Sequence, residues 1–522
     1  MIKKTVKRVS VVGLALTSAL SIYGCGSSTA STSAKVSDSK EIEKPEKITV
    51  MADGSVVKET SGAQEFYDQL KEATGVDVAW VRPDHSGYYD AVTNAFNNDQ
   101  DIPDVVLLGA DYYALYAANG FLWNMTDAWN NSEIKNSGRL ISTADNIINS
   151  LMVTGEDGEQ GLYGFATGRG NGCCTYVKES WLKQAGYTKE DVEGKTLTFD
   201  EYYTMLKKMH EVTGKNVIAA AGYIGPEAPF TNYLPEFYQQ AQYSFYKDST
   251  GKYVDGFSQQ AMKDAMTRIG QAVSDGIIDQ ETINSSTSNV RDKFFADQTG
   301  VFTYWAGDWA ESLRENLESK GLDDSLIALN PIKELGTYVE RVTPCWCITS
   351  GAKNPEGIYE YWLSKMLDGG EVQTLWTYGA KGTHWDDKAE TVTLQGKEDQ
   401  GTTYTEGTFH FLPSIEKPST LNTKNSINPL LSMAKFTDGD PGEALLEPLA
   451  KENMEFFATH SSVATPLPVT DALGDNIGDI NKQRSLMIAA VATGTMTADD
   501  AVKEYEAKVG NLVDEVLASL NK

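Results

Sequence analysis

Four consecutive apolar residues, Val105-Val106-Leu107-Leu108, constrain this chain most. A strand that is apolar on both faces must be covered on both, as happens inside a parallel sheet with helices above and below it. The flanking segments supply such helices. Tyr88, Val92, Ala95 and Phe96 precede the run at helical spacing, and Tyr112, Leu115 and Tyr116 follow it, ending at Asn119-Gly120. Further upstream, Ile48-Thr49-Val50-Met51 reads as a strand. Ala63, Phe66, Tyr67 and Leu70 form a helical face stopped by Gly75, and Val76, Val78 and Trp80 alternate as a strand does. Strands alternating with helices predict an α/β architecture.

The pattern continues far beyond the length of one core. Trp181, Leu182 and Ala185 lie on a helix closed by Gly186, and Thr198-Phe199-Asp200-Glu201 is a capping box that opens another. The stripe Ala261, Met262, Ala265, Met266, Ile269, Ala272 and Val273 predicts a long helix ended by Gly276. Residues 301–305 and 326–329 read as strands. Asn354-Pro355-Glu356 is a helix start with proline at the first position. Val502, Tyr505, Val509, Val513, Val516, Leu517 and Leu520 give an amphipathic terminal helix. A body of about 475 residues exceeds a single hydrophobic core, so two or more lobes are expected.

The first 45 residues do not belong to that body. Lys3, Lys4, Lys7 and Arg8 are followed by an apolar stretch over residues 9–20 and then Ser21-Ile22-Tyr23-Gly24-Cys25. A basic start, a short apolar segment and a small residue before the cut make a secretory signal. The stretch falls short of the roughly 20 residues that cross a bilayer. The end of the segment resembles a lipobox, with Ile22 in place of the usual Leu. The resemblance implies a signal peptide over 1–24 and a diacylglyceryl group on Cys25 as the mature N-terminus. Residues 26–44 are rich in Ser, Thr and Ala with alternating charges and no apolar period, so residues 25–45 are expected to form a flexible tether.

Charge narrows the partners. The formal net charge is −28, and no block of Lys or Arg survives removal of the leader, which excludes nucleic acid as a ligand. Aromatics are plentiful, with 10 Trp and 25 Tyr, and a Trp exposed in a cleft can stack on the apolar face of a pyranose. Beyond Cys25 the cysteines are Cys173, Cys174, Cys345 and Cys347, with no C-x-x-C and no nearby His, so neither a zinc site nor any other metal or cofactor is predicted. Their even number in an exported chain permits a disulfide. G-x-S-x-G, H-E-x-x-H and P-loop motifs are all missing.

Several segments along the whole length together resemble the family 1 extracellular solute-binding proteins, the lipoprotein components of ABC importers. They are Ile48-Thr49-Val50 with Lys71-Glu72-Ala73-Thr74-Gly75-Val76-Asp77-Val78, then Asp101-Ile102-Pro103-Asp104-Val105-Val106, and Ala117-Ala118-Asn119-Gly120-Phe121-Leu122 followed by Thr126-Asp127. Tyr163-Gly164-Phe165 leading to Thr175-Tyr176-Val177-Lys178, residues 294–309, and Lys353-Asn354-Pro355-Glu356 continue the series. Tyr378-Gly379-Ala380-Lys381-Gly382-Thr383-His384-Trp385 is similar to a segment of the large, oligosaccharide-binding branch. Where that branch often carries a calcium loop, this chain has Glu211-Val212-Thr213-Gly214-Lys215-Asn216-Val217, which lacks the carboxylate spacing such a loop needs.

The resemblance implies a two-lobed periplasmic-binding-protein-like fold of type II, with crossover hinge strands and a cleft between the lobes. On this sequence lobe 1 would comprise 46–168 plus 349–395, and lobe 2 would comprise 172–340 plus 400–522. Cys173 and Cys174 then fall at the first crossover and Cys345 and Cys347 at the second, where a disulfide between the pairs would staple the hinge. The residues expected to face a ligand are Tyr112, Arg169, Asn171, Trp305, Asp308, Trp309, Trp346, Tyr378, His384 and Trp385. Arg169 and Asn171 sit in Gly168-Arg169-Gly170-Asn171-Gly172, which no helix-opening pattern follows, so it is not a dinucleotide loop. The implied function is a monomeric, lipid-anchored receptor at the extracytoplasmic face of the cell membrane. It would capture a carbohydrate, an oligosaccharide in this branch, and deliver it to ABC permease subunits, with no catalysis of its own. A peptide or other polar solute as ligand, a surface sensor or adhesin, and a surface glycoside hydrolase with paired carboxylates are the alternatives.

Overall fold

The computed structural model describes residues 42–54, 62–84, 87–98, 102–224, 231–322, 324–393, 401–413 and 427–522. Cys25, the leader expected over 1–24 and all but residues 42–45 of the tether expected over 25–45 lie outside them. In chain order the principal strands are β1 (Lys47–Met51), β2 (Asp77–Val81), β3 (Val105–Leu108), β4 (Cys173–Lys178), β5 (Val301–Trp305), β6 (Leu326–Ala328), β7 (Tyr338–Glu340), β8 (Cys345–Ile348) and β9 (Ser461–Val463). The principal helices are α1 (Ala63–Thr74), α2 (Tyr88–Asn97), α3 (Ala110–Ala118), α4 (Phe199–Thr213), α5 (Gln260–Ser274), α6 (Thr287–Phe295), α7 (Asp308–Ser319), α8 (Glu371–Tyr378), α9 (Pro448–His460), α10 (Asp471–Ala492) and α11 (Ala498–Leu520).

The apolar run sits where its composition requires. β3 is buried throughout, parallel to β1, which is in turn parallel to β2, and β8 joins the far side of β3 antiparallel. Helices α1, α2 and α3 cover this sheet with Phe66, Leu70, Tyr88, Val92, Phe96 and Tyr113. A second core forms around an antiparallel sheet in which β4 lies between β6 and β5. It is packed by Tyr202, Leu206, Met262, Met266, Ile269 and the apolar stripe of α11. The capping box at α4 is made as the sequence predicts, with Thr198 and Glu201 each bonding the other's backbone.

The chain passes between the cores at residues 165–172, at 338–345, and again where β9 pairs in parallel with β7. A further segment touches both: Ile427, Met433 and Ala434 pack in the first core, while Leu430 and Leu431 pack against the second. It lies along the first crossover, with Arg169 N–H donating to Leu431 O at 2.8 Å and Met433 N–H to Thr167 O at 3.0 Å.

The hinge disulfide is not formed. All four described cysteines are buried, and none is disulfide-bonded. Cys173 and Cys174 lie in β4 of the second sheet and Cys345 and Cys347 in β8 of the first, so the two pairs are neighbours along the chain path but belong to different cores. Cys345 and Cys347 approach each other, Sγ to Sγ at 3.8 Å on one strand.

Candidate binding site at the strand ends

Register places the site. The last residue of β3, Leu108, pairs with Cys345, and the last residue of β5, Trp305, pairs with Cys173. Cys345 and Cys173 each adjoin a crossover. The C-terminal ends of β3 and β5, one from each core, therefore both lie at the crossovers, and strand ends of this kind are where open α/β sheets gather ligands.

At the end of β3 the backbone turns at Gly109 into α3. The Gly109 N–H donates to Tyr89 Oη at 2.9 Å, and a Cβ at Gly109 would stand 2.8 Å from that oxygen, so the close approach requires glycine. The ring of Tyr89 lies flat on Tyr112, centroids 3.7 Å apart and planes 5° apart. Both rings remain half-buried, and burial raises the Tyr89 phenol above its ordinary value.

At the end of β5 the chain turns through Gly307, at φ 73°, into α7. Asn453 fixes that turn, its Oδ1 accepting from Gly307 N–H at 2.7 Å and from Tyr176 Oη at 2.9 Å. Asp308 accepts from Asn428 Nδ2 at 2.6 Å, and burial raises its carboxyl above the ordinary value against the lowering effect of that bond. Trp305 is half-buried beneath the Arg341 guanidinium, 4.9 Å from the ring centroid. Trp309 is 40% exposed and sets its ring edge-on to Tyr304 at 5.4 Å.

The crossovers join these ends. Arg169 and Glu340 form a buried bidentate pair across them, Nε to Oε1 at 2.9 Å with a second contact from Nη2 to Oε2, and Gly170 N–H adds a bond to Oε1 at 3.1 Å. Arg341 donates from its backbone to Asn171 O at 2.9 Å and from Nε to Gly170 O at 2.7 Å. Asn171, at φ 61°, donates from Nδ2 to Ala306 O at 3.0 Å and accepts from Gly172 N–H at 2.7 Å.

Of the residues singled out by sequence, Tyr112, Trp305, Asp308 and Trp309 stand at the strand ends. Arg169 and Asn171 stand at the crossovers with their side chains engaged by protein groups; Glu340 already occupies the guanidinium read as a ligand contact. The remaining four lie elsewhere. Trp346 is 1% exposed and wedged between Trp362 and Trp376, each 5.9 Å away, so its ring is core. Tyr378 is buried, with its hydroxyl on Asp440. His384 is buried and accepts at Nδ1 from Ala380 N–H at 2.8 Å. Trp385 stacks on Phe409 at 4.5 Å and donates to Gly379 O at 2.8 Å, in a small cluster that also holds Tyr378 and Phe411. A shallow pocket lined by Gln69, Glu371, Thr374, Lys381 and Trp385 opens there and draws no residue from either strand end. Sequence reasoning missed Tyr89, Arg291, Arg341 and Asn428. Tyr89 follows Tyr88, whose burial carries the helical period, and the other three reach the site from segments distant in sequence. Among the described residues no group of three or more His, Cys, Asp or Glu side chains is placed to hold a metal, and no helix is long and apolar enough to cross a membrane.

Solved structures share this two-lobed fold at low identity. The alginate-binding protein AlgQ2, in a calcium-free crystal structure, aligns with a TM-score of 0.58 at 16% identity, covering 92% of this chain and 99% of that one. The N-glycan transport solute-binding protein NgtS from Streptococcus pneumoniae aligns with a TM-score of 0.57 at 16% identity, covering 92% and 98%. A substrate-binding protein from Listeria monocytogenes, solved with cycloalternan, aligns with a TM-score of 0.53 at 13% identity, covering 90% and 100%. No curated protein sequence matches the chain. The sequence profile of the bacterial extracellular solute-binding proteins matches residues 54–362, the greater part of the chain, through both strand ends and both crossovers described above. The chain belongs to the bacterial extracellular solute-binding proteins.

Proposed function

We propose that this protein is the carbohydrate receptor of an ABC importer, held at the outer face of the membrane by a lipid on Cys25 and delivering an oligosaccharide to its permease. The carrying observation is that aromatic surfaces stand at two strand ends from different cores, the stacked Tyr89 and Tyr112 at one and Trp305 and Trp309 at the other. Flat rings with hydroxyl-binding groups beside them suit a pyranose, and Asp308 and Asn428 are such groups. Lobes over 46–168 plus 349–395 and over 172–340 plus 400–522, with 427–434 running between them, would close on the sugar by a hinge at the crossovers. Relatives of the same fold described as binding alginate, N-glycans and cycloalternan support the sugar assignment. The protein acts as a monomer and leaves its ligand chemically unchanged.

A melting-temperature screen of the chain from Pro45 onward against oligosaccharides tests the reading. A ligand at 100 times its dissociation constant stabilises by about 2.7 kcal/mol, a clear shift. A shift with one class of glycan is expected. No shift with any glycan, alongside a shift with peptides or other polar solutes, would replace the sugar by those ligands. Cys25→Ala should move the protein from the membrane fraction to the soluble fraction, and retention on the membrane would refute the anchor.

A further inference from the structure

Arg169 is the one arginine among the residues expected to face a ligand, and Glu340 neutralises it. A different arginine stands in the right place. Arg291, on α6, reaches the first turn of α7, where its guanidinium lies 6.0 Å from the Trp309 ring centroid and 5.9 Å from that of Tyr304. Trp309 is the most exposed aromatic at the strand ends, and Arg291 itself is half-buried.

The company of this arginine is aromatic, as is that of Arg341 over Trp305 and of Arg82 over Tyr67. Acidic residues outnumber basic ones 73 to 45, so a guanidinium readily finds a carboxylate. Arg169, Arg314 and Arg484 each pair with one, and Arg139 and Arg268 donate to backbone carbonyls. Arg291 meets aromatic rings, and among the described residues no carboxylate pairs with it. The two acids in the first turn of α7 are engaged elsewhere, Asp308 with Asn428 and Glu311 with Arg314. A planar cation set beside a buried phenol and an exposed indole can bind an oxyanion bidentately while the indole takes the adjoining ring.

We propose that Arg291 and Trp309 form the anion-recognising end of the cleft, so that the captured oligosaccharide carries a carboxylate or sulfate group. The inference rests on the receptor reading above and narrows its ligand. Arg291 supplies charge-assisted hydrogen bonds to the anionic group, and Trp309 stacks on the sugar that bears it.

Titration calorimetry decides the point. The wild-type protein is titrated with oligogalacturonates, oligomannuronates, a sialylated trisaccharide and chondroitin sulfate oligosaccharides, each beside its neutral counterpart (methyl ester or desulfated form). Binding is expected for an anionic member and should weaken about tenfold to a hundredfold on neutralising the ligand, and equally on Arg291→Gln. Arg291→Lys should retain part of the affinity, and added salt should weaken the wild type more than Arg291→Gln. The uronate, sialyl and sulfate arms distinguish the source of the charge. Binding of neutral glycans alone, or of an anionic glycan with affinity unchanged in Arg291→Gln, would overturn the inference and leave the receptor standing. Absence of binding across the whole panel would overturn both. Should Arg291→Gln fail to fold, the comparison of charged and neutral ligands on the wild type still separates these outcomes.

Discussion

Two tryptophans show how a single position decides a role. Trp305 and Trp346 both lie in strands beside a crossover, and both look like stacking surfaces in the sequence. Trp346 faces the helices behind the first sheet and is enclosed by Trp362 and Trp376. Trp305 ends its strand, with the Arg341 guanidinium set over its ring. Their alanine variants should separate cleanly. Trp346→Ala removes a fully buried indole and should destabilise the unliganded protein by roughly 3–5 kcal/mol. Trp305→Ala should melt within about 1–2 kcal/mol of wild type while the ligand-induced shift collapses. Thermal melts of both, with and without the bound sugar, check this. Strand period does not reveal which face of a sheet looks onto a core and which onto a cleft, so Trp346 could not be told from a cleft ring, and Tyr378 at the end of α8 and His384 in the turn after it carry no strand period at all.

At the scale of elements, legibility followed regularity. The run over β3, the capping box of α4 and the stripes of α5 and α11 each obey one period and formed where expected. Helix α10 was invisible because Gly474, Gly478 and a polar first half blur its stripe. It is held by Arg484, which is fully buried and paired to Asp255 at 2.8 Å over the ring of Phe245. The helical turn Pro235–Tyr238 was missed for want of length, yet it carries the carboxyl with the largest consequence for pH. Glu236 is buried in the second core, accepting from Thr175 Oγ1 at 2.6 Å, with the Tyr202 and Tyr338 phenols and the Cys174 thiol as its titratable neighbours. Burial pushes its carboxyl up from 4.5 to about 7. A raised carboxyl holds its proton more tightly in the folded state, so its stabilising contribution is complete below the unfolded value and is lost as pH rises through the folded one. Unliganded stability should fall by on the order of 3 kcal/mol between pH 4.5 and about pH 8 from this group. Glu236→Gln should flatten that part of the profile in denaturant melts; an unchanged slope would refute the assignment.

Over the whole body, the two cores are joined by polar ties. Glu340 is central: its carboxylate holds Arg169 and Gly170 of the first crossover, and its own carbonyl accepts from Ala464 N–H at 2.8 Å just beyond β9. A hinge so tied transmits unfolding of one core to the other, and the wild type should show one calorimetric transition. Glu340→Gln leaves Arg169 buried beside a neutral amide, costs roughly 3–5 kcal/mol, and should resolve two transitions. A single transition of undiminished cooperativity in that variant would show that packing, not the ion pair, couples the cores. The two-lobed organisation followed from chain length and alternation. The ties did not, because the partners Arg169 and Glu340 are 171 positions apart.

The four described cysteines, none of them in a disulfide, give the chain a clock. Each is enclosed, out of reach of water once folding ends, and burial pushes the Cys174 thiol up to about 12. Export carries the chain through surroundings that oxidise thiols, and it meets them while still unfolded. The interval between emergence and closure of the two cores is therefore the only time at which the surroundings can write a wrong bond into the molecule. Every sulfur found blocked in mature material dates a molecule that folded too slowly, and a fully reactive set after denaturation marks one that folded in time.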